Sequence, residues 1–265
     1  MIEIFIICLL LGTVVGVLSG LFGIGGGIII VPILYSILPL LSKELMFDSL
    51  FQLVVGTSMA TIVVTSLFNM KNHYYLNNID WKIVRLFFIP LLVGTFLGAT
   101  ISLLIETKVI ETLFALFLIL LAINTWFSIQ YQANKQLNHS ITTYIIPLII
   151  GACSSLFGLG GGIFMTPILL AYNVDIKKAI GTSVTLSIPV SISGTSSYIY
   201  YGLLDDALPD HTIGYIYIPA FLGIICTSSI FSKVGIMIAD KMDKKQLSRL
   251  FSLILIISAI KIIIT

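Results

Sequence analysis

Residues 22–32 read FGIGGGIIIVP and residues 157–167 read FGLGGGIFMTP, so the second copy begins 135 positions after the first (157 against 22). Both copies sit inside apolar runs. Of the 265 residues, 58% are apolar and only 10% charged, whereas an average soluble domain carries about 25% charged residues. Such a chain cannot cover a globular surface with polar groups. Stretches 49–70, 83–105, 109–129 and 247–264 reach or exceed the roughly 18 apolar residues that cross a hydrocarbon core. The composition therefore predicts an all-α polytopic membrane protein with no soluble domain between its spans.

The repeated phrase is the centre of a longer match. GVLSGLFGIGGGIIIVPIL from residue 16 lies on GACSSLFGLGGGIFMTPIL from residue 151. VGTSMATIV (55–63) then pairs with IGTSVTLSI (180–188), PLLVGTFLGATI from Pro90 with PAFLGIICTSSI from Pro219, and LFALFLILLAI from Leu113 with LFSLILIISAI from Leu250. The chain reads as two homologous membrane repeats, 1–131 and 141–265, joined by a polar linker at 132–140. Self-similarity of this kind is a pointer to the binding site in transporters.

Each repeat consists of one glycine-broken segment followed by three ordinary spans. If the broken segment crosses the membrane, the protein has eight transmembrane helices in two parallel halves of four. If it enters and leaves on one face as a re-entrant hairpin, each half has three transmembrane helices and the halves are inverted repeats. In the second copy about 14 residues precede the glycines and about 10 follow them; at about 1.5 Å per residue the later arm covers only half of an approximately 30 Å core. Under the hairpin arrangement 11 of the 14 basic residues, Lys71 and Lys233 among them, fall on one face. The parallel arrangement splits them 9 to 5. Since basic residues concentrate on the cytoplasmic side, the inverted arrangement is preferred, although the 20-residue run before the first break is long enough to cross alone.

Irregular backbone within a membrane is tolerated only where protein or a wet cavity satisfies it. Four glycines in five residues, Gly23, Gly25, Gly26 and Gly27 in one copy and Gly158, Gly160, Gly161 and Gly162 in the other, are expected to open the helix. The half-helix that follows begins with unpaired N–H groups at the positive end of its dipole, which favours an anion without any charged side chain. Pro32 and Pro167 lie too far into these half-helices to be first-turn residues, and are expected to bend them. Thr57, Ser58, Thr182 and Ser183 place hydroxyls about two turns into the next helices, and Asn69 adds a polar group; all five are candidate substrate contacts. Small residues also serve close helix packing, a competing account of the glycines, but one that does not require matched hydroxyl pairs.

Other chemistry is poorly supported. No span carries a central His, Lys or Asp constellation for intramembrane catalysis, so an enzyme is not expected, nor any catalytic residue, metal site or cofactor. Cys8, Cys153 and Cys226 lie in apolar runs without CxxC spacing and read as inert buried thiols. His73, His139 and His211 read as loop residues. No basic stripe suggests nucleic acid. Expected partners are a small anionic substrate and membrane lipid; the sequence is compatible with a homo-oligomer but specifies none. Aromatic residues near span ends, including Tyr74, Tyr75, Trp81, Trp126, Tyr200 and Tyr201, read as interface anchors.

The paired LFGxGGGxxxxP phrases, each followed by a GTS helix, resemble the TauE/SafE family of sulfite and organosulfonate exporters over essentially the full chain. The resemblance implies a secondary-type carrier in a bacterial inner membrane, exporting a small sulfur-containing anion such as sulfite, thiosulfate or an organosulfonate. Transport of another small anion in either direction, or a non-transporting membrane subunit, stays open as an alternative. The family phrase falls on the glycines and prolines named above, with one asymmetry, Gly20 facing Ser155.

Overall fold

The computed structural model describes residues 2–22, 26–41, 49–127, 141–239 and 241–264. Gly23, Gly25 and the linker at 132–140 lie outside the described residues. The described chain forms ten helices: α1 (Ile2–Phe22), α2 (Gly27–Leu41), α3 (Leu50–Tyr75), α4 (Trp81–Leu104), α5 (Thr107–Trp126), α6 (Thr142–Phe157), α7 (Gly162–Ala171), α8 (Ile176–Gly202), α9 (Ile218–Ala239) and α10 (Lys244–Ile264). An isolated antiparallel bridge, Thr212 to Tyr217, tightens the connection before α9. Leu50–Tyr75, Trp81–Leu104, Thr107–Trp126 and Ile218–Gly235 are long and apolar enough to cross a membrane. The 26 residues of α3 extend about 39 Å at the usual rise, so that helix can reach from one face to the other. This is the all-helical, polytopic architecture that the composition predicts.

Helix starts follow local chemistry. Asp80 caps α4 by accepting from the Lys82 and Ile83 amides at 3.0 and 3.3 Å, and Asp175 caps α8 through Lys177 at 3.0 Å. Asn77 and Asn173 turn the chain just before these caps with φ of 53° and 58°, a conformation asparagine tolerates better than most side chains. His73 lies in the last turn of α3 rather than in a loop. Cys8 is buried as expected, but Cys226 faces outward on α9.

The bundle is assembled by exchange between the two ends of the chain. α1 lies against α9, and α4 against α6. Glycines let these backbones meet: a Cβ at Gly94 would stand 2.0 Å from the Leu148 carbonyl oxygen, one at Gly98 2.3 Å from that of Ala152, and one at Gly16 2.5 Å from that of Ser228. These GxxxG positions serve packing, as small residues commonly do between apolar helices. Both pairs run parallel, since residue numbers rise together along each contact. Helices of matching sequence run the other way. On α3 and α8, Gly56 meets Tyr198 and Met59 meets Gly194, while Thr182 bonds the backbone just beyond the far end of α3. On α5 and α10, Ser248 donates to the Thr125 carbonyl and the Arg249 guanidinium lies 5.6 Å from the Trp126 ring centroid.

The two short helices fold back from their glycine breaks. Gly27 at the start of α2 packs against Ile62, midway along α3, and Tyr35, two turns later, meets Phe51 near the start of α3 with ring centroids 5.7 Å apart. α2 therefore descends α3 towards its first residue. α7 does the same on α8, with Gly162 beside Ser187 and Leu169 packed into a cluster with Ala179 and Ile83. Aromatic packing of Phe114, Phe117 and Phe157, at 5.2 and 5.5 Å with nearly parallel rings, anchors α5 to the end of α6.

Candidate functional site

The second glycine phrase shows why its spelling is so restricted. α6 ends at Gly158, which has φ of 68°. The Leu159 amide returns to the Ser154 carbonyl at 2.8 Å and the Gly158 amide to that of Ser155 at 3.4 Å; this paired closure needs a left-handed residue, for which glycine carries no Cβ penalty. Gly161, with φ of 74°, precedes the first turn of α7. The ladder of α7 starts with Phe164 and Met165 donating to the Gly161 carbonyl at 3.1 and 2.9 Å. The amides of Gly162 and Ile163 thus precede the ladder, as first-turn amides do. Gly160 admits Ile62, whose Cγ2 would lie 2.8 Å from an added Cβ. In the first copy Gly26, with φ of 85°, stands where Gly161 stands, and Ile29 and Ile30 donate to its carbonyl at 3.0 Å each.

The two breaks touch. A Cβ at Gly27 would lie 2.5 Å from the Gly158 carbonyl oxygen and 3.3 Å from Leu159 Cα. Ile62 packs on both Gly27 and Gly160, so the starts of α2 and α7 approach it from either side; the nearest side chains are Ser19 and Val15 beside Gly26, Ser154 beside Gly161, and Ser187 beside Gly160 and Gly162. None of these side chains is charged. Buried hydroxyls of Ser154, Ser155 and Ser183 have no hydrogen-bond partner, although unpaired buried polar groups normally cost about 1–3 kcal/mol each. Pro32 and Pro167 lie inside α2 and α7, where each withdraws the amide that would continue the ladder.

The GTS triplets divide their work. Gly56 and Gly181 admit backbone from outside the helix, with added Cβ atoms 2.2 Å from the carbonyl oxygens of Tyr215 and Asn78. The threonines act as clasps: Thr57 Oγ1 accepts the Tyr217 amide, and Thr182 Oγ1 the Asp80 amide, each at 2.9 Å. Those two amides belong to the residues immediately before α9 and α4. The first serine turns to a break. Ser58 donates to the Gly158 carbonyl at 2.9 Å, and Ser183 is the unpartnered hydroxyl noted above. The clasp role was not legible from the sequence, because each acceptor binds a residue far away in the chain.

Asn69 lies apart from the glycines, in a cavity of about 220 Å³ that also touches Val15, Ser19, Lys71, Ser228 and Lys233. It is thus linked to the break at Gly26 through Val15 and Ser19. A second cavity, of about 470 Å³, opens at the other end of α3 between Gln52, Glu106, Asp205 and Tyr215. Tyr215, on the connection before α9, donates to Asp205 Oδ2 at 2.8 Å; burial first, then this carboxylate, pushes its phenol up to about 12, so it stays a neutral donor. Between this cavity and the breaks stands Tyr198, fully buried, its phenol oxygen 3.0 Å from both Ser102 Oγ and the Ser155 carbonyl. Among the described residues no cluster of three His, Cys, Asp or Glu could hold a metal ion.

Apolar helices in this arrangement define an integral membrane protein. The sequence matches the family described as sulfite exporter TauE/SafE over residues 8–262, and the chain belongs to that family. It is 36% identical over 256 residues to a probable membrane transporter protein of Haemophilus influenzae, covering 96% of each chain. It is 32% identical to another of Methanocaldococcus jannaschii, covering 93% of this chain and 91% of that one, and 25% identical to the probable membrane transporter protein YunE of Bacillus subtilis, covering 98% and 97%. These relatives are named as transporters, not enzymes. No solved structure matches the chain.

Proposed function

We propose that the chain is a secondary-type carrier of the bacterial inner membrane that exports a small sulfur-containing anion, sulfite, thiosulfate or an organosulfonate, through the junction of its two glycine breaks. The observation that supports this reading is the meeting of the two breaks, where Gly27 touches the Gly158 carbonyl and Ile62 packs on both Gly27 and Gly160, which brings the starts of α2 and α7 towards each other. Two helix N-termini attract negative charge there, and the unpartnered hydroxyls of Ser154 and Ser183 are donors for its oxygens.

The repeats 1–131 and 141–265 are inverted in this proposal, with α1–α2 and α6–α7 as re-entrant hairpins opening to opposite faces. The antiparallel contacts of α3 with α8 and of α5 with α10 support it, because a twofold axis that relates antiparallel helices must lie across them. The anion leaves down the electrical gradient, worth about 2.3 kcal/mol per charge per 100 mV, and needs no coupling ion. Purified protein in liposomes should release thiosulfate or sulfite faster when the potential drives anions out. Ser154→Ala with Ser183→Ala should raise the KM for that anion. Absence of flux for sulfite, thiosulfate and an organosulfonate under both polarities would overturn the substrate class; flux with an unchanged KM in the double variant would displace the site.

A further inference from the structure

The cavity at Lys71 and Lys233 is not explained by the glycine junction. Its two lysines come from the ends of α3 and α9, far apart in sequence, and meet around a volume of about 220 Å³. Among the described residues no carboxylate lines it and none pairs with either ammonium. Its wall holds the hydroxyl of Ser228, which is 1% exposed and without a hydrogen-bond partner, as is that of its neighbour Ser229. Asn69 and Asn72 supply amide donors. Two free ammonium groups over buried unpartnered hydroxyls suit a doubly charged oxyanion, which needs charge compensation on one side and hydrogen-bond donors on the other.

The matching positions in the other half lack this chemistry. By the sequence match, Ser196 stands for Lys71, Leu104 for Lys233, Gly194 for Asn69 and Ala99 for Ser228. Gly194 is moreover occupied by Met59, whose Cε would lie 3.1 Å from an added Cβ. Cation chemistry is therefore built at one end only, on the face that collects the basic residues.

We propose that Lys71, Lys233, Ser228 and Ser229 form a vestibular binding site for a soluble divalent oxyanion, which holds the substrate before it passes Ser19 to the glycine junction. The site as a step in transport rests on the carrier reading above; the binding itself does not. The test uses the full chain with Cys8, Cys153 and Cys226 replaced by alanine and Ser232→Cys as reporter, a cavity residue outside the proposed ligand set, in phosphate-free detergent. A negatively charged thiol reagent should label it about tenfold faster than a positively charged one of equal size, a ratio of the order expected from local fields. Lys71→Gln with Lys233→Gln should bring the ratio near unity, and the two arginine variants should restore it. Millimolar sulfate should slow labelling when the lysines are present and not when they are absent. In liposomes the glutamine pair should raise KM for thiosulfate about tenfold and change the saturated rate less than twofold.

A reagent ratio indifferent to the lysines overturns the site, whatever the flux. Protection by phosphatidylglycerol but not by sulfate also overturns it, assigning the lysines to lipid headgroups. Protection by sulfate in a protein that moves no anion upholds the site and removes the carrier reading.

Discussion

The two ends of α3 are built for opposite tasks. At its last turns Asn69 and Lys71 border a cavity that reaches Ser19 and Val15, the side chains packed on Gly26. At its first turns lies the cavity between Gln52 and Asp205; behind its Tyr215, at a ring-centroid distance of 6.4 Å, Tyr198 is wholly buried and lies 3.0 Å from Ser102 Oγ and the Ser155 carbonyl. The charges differ as well: lysines line the first cavity, Glu106 and Asp205 the second. Sequence equivalence sharpens the contrast, because Tyr198 on α8 matches His73 on α3. Elements of matching sequence thus end in a cation-lined cavity at one place and, at the other, in an acidic one with Tyr198 between it and the breaks. The difference teaches that a few side chains can give matched helices opposite surroundings.

The largest expected effect comes from the junction both ends share. Gly27→Leu places its Cβ 2.5 Å from the Gly158 carbonyl oxygen and 2.8 Å from Ile62 Cδ1. Overpacking costs about 1–3 kcal/mol where neighbours can yield, and a backbone carbonyl yields less than a side chain. Flux in liposomes should fall to the protein-free background, while the purified variant still elutes as a monodisperse species in detergent. Full flux in this variant would break the comparison at its root, since neither end would then lead to the glycines.

Next in size is the seal. Tyr198→Phe removes a phenol that is hydrogen-bonded to Ser102 and the Ser155 carbonyl, a loss worth about 0.5–1.5 kcal/mol net. That corresponds to roughly a two- to tenfold shift towards the opened state. The measurement is the rate at which a small thiol reagent labels Leu103→Cys, a wall residue of the acidic cavity, with and without Tyr198→Phe. The rate should rise by that factor, while labelling of Ser232→Cys at the lysine end should not rise. Equal increases at both positions would mean that Tyr198 supports the bundle generally and does not seal one end.

Much of this was legible in the sequence, though unequally. The membrane class and the breaks at Gly158 and Gly161 follow from composition and glycine's freedom at positive φ. Two kinds of glycine could not be separated in advance. Gly94 and Gly98 pack α4 on α6, whereas Gly158 and Gly161 end one helix and begin another, and only tertiary contacts distinguish them. The vestibule was hidden for a related reason. Lys71 and Lys233 were informative as a charge bias between faces, but a bias carries no distance. Their convergence depends on α9 packing against α1 and α3, an exchange between the two ends of the chain. Asn69, a candidate substrate contact in the sequence, lies in the same cavity, but nothing in the sequence named its companions.

The smallest expected effect concerns the clasps, and it tests whether the sealed end is also the tighter one. Thr57 holds the Tyr217 amide at the sealed end, and Thr182 holds the Asp80 amide at the lysine end, both at 2.9 Å. Substitution by valine keeps the side chain's shape and removes the acceptor. Tyr217 is 3% exposed, so water cannot readily replace the lost partner, and a buried unsatisfied amide costs about 1–3 kcal/mol. Asp80 is only half-buried, and water can reach its amide. Thermal unfolding in detergent should therefore show a larger drop in Tm for Thr57→Val than for Thr182→Val, with the order preserved across detergents. The reverse order would place the rigid anchor of the bundle at the lysine end. Tyr198 would then stand at the looser end of the bundle, and its hydrogen bonds could not be what makes that end the tighter one.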